Sequence, residues 1–364
     1  MEEFKKSTQA FLEALKSSVW GRPINSAKFE GLNRGDWIEI FHMSFQQTVE
    51  GHLAEAIQAL PVHLLPPSDL SLKWIVRLQR IEERNKLMEV VIGRLSKLFL
   101  DNGINALLMK GHAVSPYYIR PEIRVSGDVD WYFPSDLDYN KAFKLMERIG
   151  KNFHNRTSLN CDYVFDGFEI EHHNSLIQLY NPFKRKIINE LIQNQYKESI
   201  CRSFNGNKVA IPSNLLCIIL GSAHILRHQV GYGIGLRQLV DSARLYYHFF
   251  GQVDTSWIHE IYSGLGILKW SHRFHQILLE LLEFPADRLP YPVKGNFNIS
   301  WMKDFILKTG NFGFYDPENP DILNPGGRVN REVRLLKNII RFLPFAPLEA
   351  LSFPFVHTYS KVFR

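Results

Sequence analysis

The sequence contains little cysteine. Three cysteines occur among 364 residues, at Cys161, Cys201 and Cys217, and no two of them have Cys-x-x-Cys spacing. An odd number of widely separated cysteines excludes a disulfide framework and gives no indication of a zinc knuckle. We therefore expect a fold held by its hydrophobic core, which a hydrophobic content of 45% can supply.

Long apolar stretches are also missing. The longest, residues 215–226, contains His224 and is too short to cross a bilayer. The N-terminal residues 1–18 are amphipathic and mixed in charge, without the apolar region of a signal peptide. We expect a cytoplasmic, soluble protein with no transmembrane segment.

Charge of one sign is only slightly in excess. The formal net charge is +6, which is small for a chain of this length. An anionic partner is indicated, but a nucleoside triphosphate satisfies this excess as well as a nucleic acid does. The composition therefore predicts no specific nucleic-acid binding.

Hydrophobic periodicity divides the chain into four parts. Helical spacing predicts an N-terminal helical segment over residues 1–70, and a long helix from Leu72 to Asp101 opens the second part, residues 71–212. A helical domain follows at residues 213–300, and a basic helix with a tail occupies residues 301–364. Short extended runs fall in the second part, which is where we expect a β-sheet. A helix is expected to follow Pro182 and to run to about Ile200, and residues 311–327, rich in Gly, Pro and Asn, are expected to form a long loop.

The stretch from Leu107 to Phe133 carries the most chemistry. One apolar run ends at Lys110-Gly111, and a second run carries Asp128 and Asp130. Because alternate residues of a strand share a face, the two carboxylates would point the same way, roughly 7 Å apart. Paired carboxylates can bind hard divalent cations such as Mg²⁺. The alternative is a pair of solvated surface aspartates.

This stretch, LLMKGHAVSPYYIRPEIRVSGDVDWYF, resembles the nucleotidyltransferase superfamily to which DNA polymerase beta belongs. More narrowly, it resembles the bacterial family of uncharacterised nucleotidyltransferases, through Lys-Gly, an aromatic-rich helix, an arginine and Asp-hydrophobic-Asp. The resemblance implies an α+β fold, with a small mixed β-sheet flanked by helices, an N-terminal helical segment and a C-terminal helical domain. His112 departs from the wider superfamily, which has Ser or Gly at that position.

The resemblance also implies a reaction. A nucleoside monophosphate would pass from a nucleoside triphosphate, for which ATP is the commonest choice, to a hydroxyl of a small molecule or protein, and pyrophosphate would leave. Two Mg²⁺ ions would be held by Asp128 and Asp130 as catalytic residues. The residues expected at the triphosphate in this stretch are Lys110, Gly111, His112 and Arg124.

A β-hairpin is predicted after the aspartates. The extended runs at residues 161–165 and 168–172 are joined by Asp166-Gly167, which is a strong turn signal. The second arm presents acidic residues at alternate positions, so they share a face.

The third carboxylate implied by the resemblance lies on this second arm. The family pattern of acidic, apolar, histidine and aromatic residues falls on residues 171–174, which makes Glu171 the expected third metal ligand and His173 the family histidine. His172 and Asn174 depart from the apolar and aromatic types of that pattern. Glu169 shares the face of Glu171 and is the alternative ligand. A polar outer face of an edge hairpin would explain both glutamates without a site.

Arg237 is the nucleotide-binding residue expected in the helical domain. It lies in a Leu-Arg-x-Leu-x-Asp stretch similar to one common in the same family, and it would approach the nucleotide phosphates. Asp241 is four residues further on, so an ordinary ion pair along one helix face is the alternative.

Two histidines in the same domain, His224 and His228, also share a helix face. A zinc protease motif requires Glu directly after the first histidine, which this sequence lacks. We interpret them as core or phosphate-facing histidines.

The C-terminal part contains a basic amphipathic helix. Its cations recur at spacings of three and four, at Arg328, Arg331, Arg334, Lys337 and Arg341. Contact with a membrane surface, a polyanion or a partner is one interpretation, and a solvated helix face is the other. The Phe- and Pro-rich tail is expected to lie against the body of the protein or another subunit.

Other classes of function remain open at this point. A catalytically degenerate module that binds nucleotide or acts as a scaffold would keep the fold without the reaction. An antitoxin-like transferase would modify a partner protein, and a metal-dependent hydrolase would use the histidines. Requirement for a triphosphate and release of pyrophosphate separate the transferases from the hydrolase.

Overall fold

The computed structural model describes residues 4–154, 160–317 and 328–362. Its helices are α1 (Lys6–Trp20), α2 (Arg34–Gln46), α3 (Glu50–Gln58), α4 (Ser68–Asp101), α5 (Gly111–Val114), α6 (Asp136–Met146), α7 (Arg185–Tyr196), α8 (Asn214–Gly231), α9 (Leu236–Phe249), α10 (Thr255–Leu265), α11 (Leu268–Leu282), α12 (Ser300–Thr309), α13 (Arg328–Phe342) and α14 (Pro347–Val362). Its strands are β1 (Leu107–Met109), β2 (Val129–Tyr132), β3 (Lys151–His154), β4 (Asn160–Phe165), β5 (Phe168–His173), β6 (Ile200–Phe204) and β7 (Asn207–Ile211).

Helix α4 is the longest element among the described residues. It begins at Ser68, directly after Pro66-Pro67, and ends at Asp101. A proline disfavours helical backbone in the residue before it, so Pro67 keeps Pro66 out of the helix. Gly103 then adopts a left-handed φ of 62°, as a residue that follows a helix end often does. The helix predicted over residues 72–101 is therefore confirmed, with one more turn at its N-terminus.

Five strands form a mixed sheet in the order β1-β2-β5-β4-β3. Strands β2 and β5 are parallel, and the other neighbouring pairs are antiparallel. The predicted hairpin between β4 and β5 is confirmed, with positive φ at both Asp166 and Gly167. The hairpin brings β5 beside β2, so the strand with the glutamates lies next to the strand with Asp130. The small mixed sheet and the α+β class are confirmed.

One face of this sheet packs against α4. Met88, Leu95 and Phe99 of the helix share a buried cluster with Trp131 of β2 and Tyr163 of β4. Trp131 alternates along β2 with Asp130, and this alternation leaves the carboxylate on the opposite face.

The helices at the two ends of the chain share a second core. Phe11 of α1 and Leu53 of α3 belong to the same buried cluster as Leu226 of α8 and Leu278 of α11. The N-terminal helical segment thus packs with the C-terminal helices, and the domain boundaries expected at residues 70, 212 and 300 stay predictions.

Strand β6 contradicts the sequence-based expectation. A helix was expected to continue to about Ile200, but α7 ends at Tyr196, and Ile200 opens a strand that pairs antiparallel with β7. Burial alternates along β6, with buried Phe204 and partly buried Arg202 separated by exposed residues. Burial with a period of two is typical of a strand, and the alternation is weak here because Ile200 and Arg202 are only partly buried.

The C-terminal helices α13 and α14 pack on α8. The predicted basic helix is confirmed as α13, and the tail lies against the body of the protein, since Phe345 and Phe353 are buried. Buried Glu349 accepts hydrogen bonds from the backbone N–H groups of Tyr180 and Asn181, at 2.6 and 3.2 Å. Of the loop predicted over residues 311–327, residues 318–327 lie outside the described residues. No helix in the described ranges has the length and apolarity needed to cross a membrane.

Candidate active site

The register of the parallel strands places Asp130 directly beside Glu171. Residues in register on adjacent strands project from the same face, about 5 Å apart. Glu169, the alternative ligand, instead pairs in register with Val164, and its carboxylate lies 3.7 Å from exposed His154. Of the two glutamates, Glu171 is the one that lies next to the predicted aspartate pair.

His173 joins the two carboxylates. Its Nε2 lies 2.7 Å from Oδ1 of Asp130 and 3.2 Å from Oε2 of Glu171. One ligand atom from each of these three residues falls within 4.8 Å of the others, so they could hold one metal ion. The Nδ1 of His173 lies 3.3 Å from the side-chain oxygen of Asn160 on β4, which orients the ring.

Lys110 donates a hydrogen bond to the same oxygen of Asp130, at 2.8 Å. Burial lowers the pKa of Lys110, but the charges of Asp130, Glu171 and Asp128 outweigh it and leave that pKa raised. For Asp130, burial raises the pKa, yet Lys110 and His173 reverse the shift and hold the pKa well below its ordinary value. Asp130 is therefore ionised at neutral pH.

Asp128 has the opposite electrostatic environment. It immediately precedes β2 and is exposed, and the negative charge of Asp130 is the largest cause that raises its pKa to about 7. The crowded site also removes part of the hydration of the Asp128 carboxylate, although the residue as a whole is exposed, and this desolvation and the charge of Glu171 raise the pKa further, while Lys110 opposes them. The neighbouring carboxylates thus outweigh Lys110 in their effect on Asp128. Clustered oxygen ligands with excess negative charge fit a hard divalent cation.

The turn from β1 into α5 has an unusual backbone. Lys110 has φ 54° and ψ −150°, which a residue with a side chain adopts at a cost of about 1–3 kcal/mol. The turn lies close to the aspartate segment, because a Cβ added to Gly111 would approach the carbonyl oxygen of Asp128 at 3.8 Å. The Lys110-Gly111 turn and Asp128 therefore belong to one site.

Side chains of α4 hold the segment that leads to Asp128. The amide of buried Asn85 donates to the carbonyl oxygens of Glu122 and Arg124, both at 2.7 Å. Arg84 donates to the carbonyl oxygen of Gly127 at 3.3 Å. The backbone before Asp128 is thus fixed by the long helix.

Helix α9 holds the same segment from the other side. Arg237 donates to the carbonyl oxygen of Val125 at 3.0 Å, while its buried Nε has no hydrogen-bond partner within the described part of the chain. Burial lowers the pKa of Arg237, followed by the charge of Arg124, whereas Asp241 and Asp128 raise it. Arg237 is therefore near Asp128, with donor capacity left for a phosphate.

Arg124 is occupied by Asp241. Its Nε and Nη2 donate to the two carboxylate oxygens at 2.7 and 2.8 Å, and its Nη1 donates to Ser126 at 3.2 Å. Tyr118 donates to Asp241 as well, at 2.5 Å. Asp241 therefore pairs with Arg124, and not with Arg237 as the alternative interpretation of their spacing had it. The phosphate contact predicted for Arg124 stays a prediction.

The side chain of His112 is not part of the candidate metal cluster found among the described residues. The imidazole is buried beside α4, where burial and the positive charges of Arg124 and Arg84 lower its pKa to about 3. A neutral ring in this position does not add charge for a phosphate. Its predicted role in nucleotide binding would therefore fall to its backbone N–H.

The two histidines of α8 lie together, with a distance of 4.3 Å between ring centroids. Burial lowers the pKa of His224 and that of His228, the latter to about 3, and the charge of Lys110 acts on both. They are neutral groups near the Lys110 side of the site. Among the described residues the candidate metal cluster does not include them.

His172, the first departure from the family pattern, is a core residue. It is fully buried among aromatic rings, including Phe133 at 4.6 Å between centroids, and lies 2.8 Å from the Tyr163 hydroxyl. Burial lowers its pKa to about 3. A neutral histidine with one polar partner thus replaces an apolar side chain without disturbing Glu171 or His173.

Two features of the site were missed in the sequence. The contact between His173 and Asp130 could have been anticipated, because His173 follows Glu171 by two residues and shares its face of β5. The pairing of Arg124 with Asp241 could not, since 117 residues separate them in the chain.

Comparison of the sequence with models of known protein families identifies the family of this chain. A family model described as "Uncharacterised nucleotidyltransferase" matches residues 33–282. The chain belongs to this family. The match reaches from the N-terminal helices to α11, well beyond the stretch around the aspartates, and includes β2 and β5 with their carboxylates.

Comparisons with curated proteins and with solved structures add little to this family assignment. No curated protein matches the chain. A crystal structure of an antigenic nucleotidyltransferase-like protein from Paracoccidioides brasiliensis is 16% identical, with a TM-score of 0.33, over 54% of this chain and 92% of that one. A similarity at this level carries no argument about the site.

Proposed function

We propose that the chain is a Mg²⁺-dependent nucleotidyltransferase. It would transfer a nucleoside monophosphate from a nucleoside triphosphate to a hydroxyl of a small molecule or a protein and release pyrophosphate. The observation that carries the proposal is the register of Asp130 with Glu171, with Asp128 two residues before on the same chain. Membership of a nucleotidyltransferase family supports it.

The metal ligands in this proposal are Asp128, Asp130 and Glu171. Their crowded charge supports cation binding, because the pKa of Asp128 is raised to about 7 chiefly by Asp130. Two Mg²⁺ ions bound there would activate the acceptor hydroxyl and neutralise charge on the departing pyrophosphate.

The chain's own groups would position the triphosphate. The ammonium of Lys110, part-exposed at the β1–α5 turn, and the guanidinium of Arg237, whose Nε has no partner among the described residues, would supply the positive charge. The backbone N–H of Gly111 opens α5 and would add a neutral donor. Arg124 would act indirectly, because it holds the segment that leads to Asp128.

Proton removal from the acceptor is assigned to Glu171. It is more exposed than Asp130, so a hydroxyl can approach its carboxylate, and no lysine or arginine is within ion-pair distance of it among the described residues. Most of the rate enhancement would come from positioning and charge neutralisation, with little covalent chemistry by the protein.

Transfer of label tests this proposal. The protein is incubated with Mg²⁺, cell extract and each of ATP, GTP, CTP and UTP labelled at the α-phosphate, and products are separated on thin layers and gels. We expect label to move to a small molecule or a protein with the native protein and to stay in the nucleotide with Asp128→Ala/Asp130→Ala. Nucleotide labelled at the γ-phosphate should give labelled pyrophosphate and no labelled acceptor.

Glu169→Ala is the matched control, because it removes a carboxylate from the same strand outside the cluster. Transfer equal in the double variant and the native protein would contradict the site. Mg²⁺-dependent nucleotide binding without transfer would favour a nucleotide-binding or scaffold module, and transfer to one protein only would favour an antitoxin-like transferase.

A further inference from the structure

Two histidines of α8 have hydrogen-bonding groups that the protein does not use. His224 and His228 are partly exposed. Their ring centroids lie 4.3 Å apart, and the ring of Phe312 lies 4.6 Å from that of His228. Neither imidazole makes a hydrogen bond within the described part of the chain. A neutral imidazole has one N–H donor and one acceptor nitrogen, so the pair offers two of each to a ligand.

The histidine pair lies beside the carboxylate cluster. The surrounding protein removes much of the hydration of both rings and so lowers their pKa, although each residue keeps exposed surface. The charge of Lys110 also acts on both rings, and the charge of Asp130, to which Lys110 is bonded, acts on His228. Groups that are enclosed but still accessible line a concave surface, which is where small ligands bind.

Arg227, the residue before His228, attaches this part of α8 to the chain that follows β5. It donates a hydrogen bond to Gln178, and its guanidinium lies 5.3 Å from the ring centroid of Tyr180. Both partners belong to the segment that leaves β5, the strand with Glu171. The histidine pair is therefore held close to this segment as well as to Lys110.

Phe312 is held beside His228 in a left-handed backbone conformation. Its φ of 51° and ψ of 20° are unfavourable for a bulky side chain. The side chain of Gln238 donates to that of Asn311 at 2.8 Å, and a Cβ at Gly235 would lie 3.1 Å from the Asn311 backbone. Such a conformation persists only where the surrounding structure enforces it, often at a ligand-binding site.

The chemistry of the pair favours an uncharged, hydroxylated ligand. A phosphate only accepts hydrogen bonds, so it would leave the acceptor nitrogens of neutral imidazoles unpaired, whereas a hydroxyl both donates and accepts. Neutral rings also supply no counter-charge for an ionised ligand. The ring of Phe312 adds an apolar surface for the C–H groups of such a molecule.

A nucleobase offers similar donors and acceptors, but the position of the pair favours the acceptor. The base of a nucleotide is separated from its α-phosphate by the ribose. The acceptor hydroxyl must instead reach the carboxylate cluster itself, and the charge of Asp130 in that cluster acts on His228.

We propose that His224, His228 and Phe312 form the acceptor subsite and bind an uncharged, polyhydroxylated small molecule. This inference rests on the function proposed above and narrows its acceptor. The imidazole nitrogens bind some hydroxyls of the molecule, and another hydroxyl faces Glu171. The oxygen of that hydroxyl bonds to the α-phosphorus, the bond from this phosphorus to the leaving pyrophosphate breaks, and the proton passes to Glu171.

Steady-state kinetics test the subsite. The acceptor source is the small-molecule fraction of a cell extract, and the donor is the α-labelled nucleotide that supports transfer. His228→Leu should raise the half-saturating amount of the fraction about ten-fold, the effect of one lost hydrogen-bonding side chain, with the KM for the nucleotide unchanged. His228→Gln keeps an uncharged donor and acceptor and should stay close to the native protein.

His259→Leu is the matched control. His259 of α10 is also partly exposed, and its ring lies 5.1 Å from one aromatic ring, that of Tyr291. This variant should leave the half-saturating amount of the fraction and the KM for the nucleotide unchanged.

Two treatments of the fraction test the class of acceptor. Periodate cleaves neighbouring hydroxyl groups and should destroy the acceptor, whereas a mixed-bed ion exchanger should leave it in solution. An acceptor that survives periodate, binds the exchanger or is a protein would overturn the proposal. A raised KM for the nucleotide in His228→Leu would also overturn it, because the histidines would then bind the donor, and so would unchanged kinetics.

Equilibrium dialysis separates failure of the subsite from failure of the transferase. Native protein dialysed against the fraction should retain an uncharged polyhydroxylated compound, identified by mass spectrometry, and His228→Leu should bind it about ten-fold more weakly. Retention that depends on His228 without any transfer would contradict the transferase and support the binding site. Transfer that does not depend on His228 would contradict the subsite and support the transferase, and absence of both transfer and retention would contradict both.

Discussion

Asp241 of α9 accepts two hydrogen bonds from the buried guanidinium of Arg124, at 2.7 and 2.8 Å. Arg124 begins the segment that leads to Asp128, so this pair attaches the C-terminal helices to the segment that precedes β2. Arg237 of the same helix donates to Val125 in that segment at 3.0 Å. The position of the first predicted metal ligand therefore depends on a helix more than a hundred residues away.

Asp241→Ala should destabilise the protein by about 3–5 kcal/mol, because it leaves Arg124 buried without its counter-charge. Equilibrium unfolding in urea measures the change. Asp101→Ala is the control, since it breaks an exposed pair with Lys97 on α4 and should cost about 0.3–0.5 kcal/mol. Similar losses in the two variants would show that the buried pair does not hold the fold.

Gly51→Ala should also destabilise the protein, by about 1–3 kcal/mol. A Cβ at Gly51 of α3 would lie 2.0 Å from the carbonyl oxygen of Ile123, next to Arg124, so the helix or the segment must move. Gly264→Ala in α10 meets nothing within 4 Å and should stabilise by about 0.4–1 kcal/mol. Thermal unfolding of the two variants should therefore shift in opposite directions, and equal shifts would refute the close approach.

His52→Gln should make the protein less sensitive to acid. Burial, followed by the charge of Arg124, lowers the pKa of His52 to about 3 from the ordinary 6.5. Between these values the unfolded chain binds a proton that the folded chain excludes, so stability falls as pH falls, by up to about 1.4 kcal/mol per unit. Above pH 6.5 this effect vanishes.

Urea unfolding at several pH values checks this prediction. The difference in free energy of unfolding between His52→Gln and the native protein should be constant above pH 6.5 and should shift in favour of the variant below it. A difference that does not change with pH would mean that His52 can accept a proton in place.

Mg²⁺ should raise the thermal unfolding temperature of the native protein, and a chelator should reverse the rise. Ligand at 100 times its dissociation constant stabilises by about 2.7 kcal/mol. The effect should disappear in Asp130→Asn, because that residue contacts both Lys110 and His173 at the centre of the cluster. An equal rise in native protein and variant would place the ion elsewhere.

Much of the fold was accessible from the sequence because its signals were local. The periodicity of α4 and the Asp166-Gly167 turn each depend on neighbouring residues, and both are confirmed. Strand β6 was not recognised, since half-buried Ile200 and Arg202 give a weak alternation after a strong helical pattern. The sequence around residue 200 favours a continued helix locally, whereas the pairing of β6 with β7 is visible only in the folded chain.

The site was accessible to a smaller extent. Alternation on β2 and β5 predicted which carboxylates share a face, but only strand register distinguishes Glu171 from Glu169. The partner of Arg124 could not be inferred, because ion pairs between distant segments leave no periodic signal. His172 departs from the family pattern, but its side chain is buried in the core and its presence leaves the site unchanged.

The most direct test of the central claim compares Glu171→Gln with Glu169→Gln in Mg²⁺-dependent transfer from α-labelled nucleotide. Both variants remove one charge from β5, two residues apart, so they differ in position relative to Asp130. We predict that Glu171→Gln lowers the turnover rate about 10²-fold or more while Glu169→Gln stays close to the native protein. Equal activity of the two variants would contradict an active site at Asp128, Asp130 and Glu171.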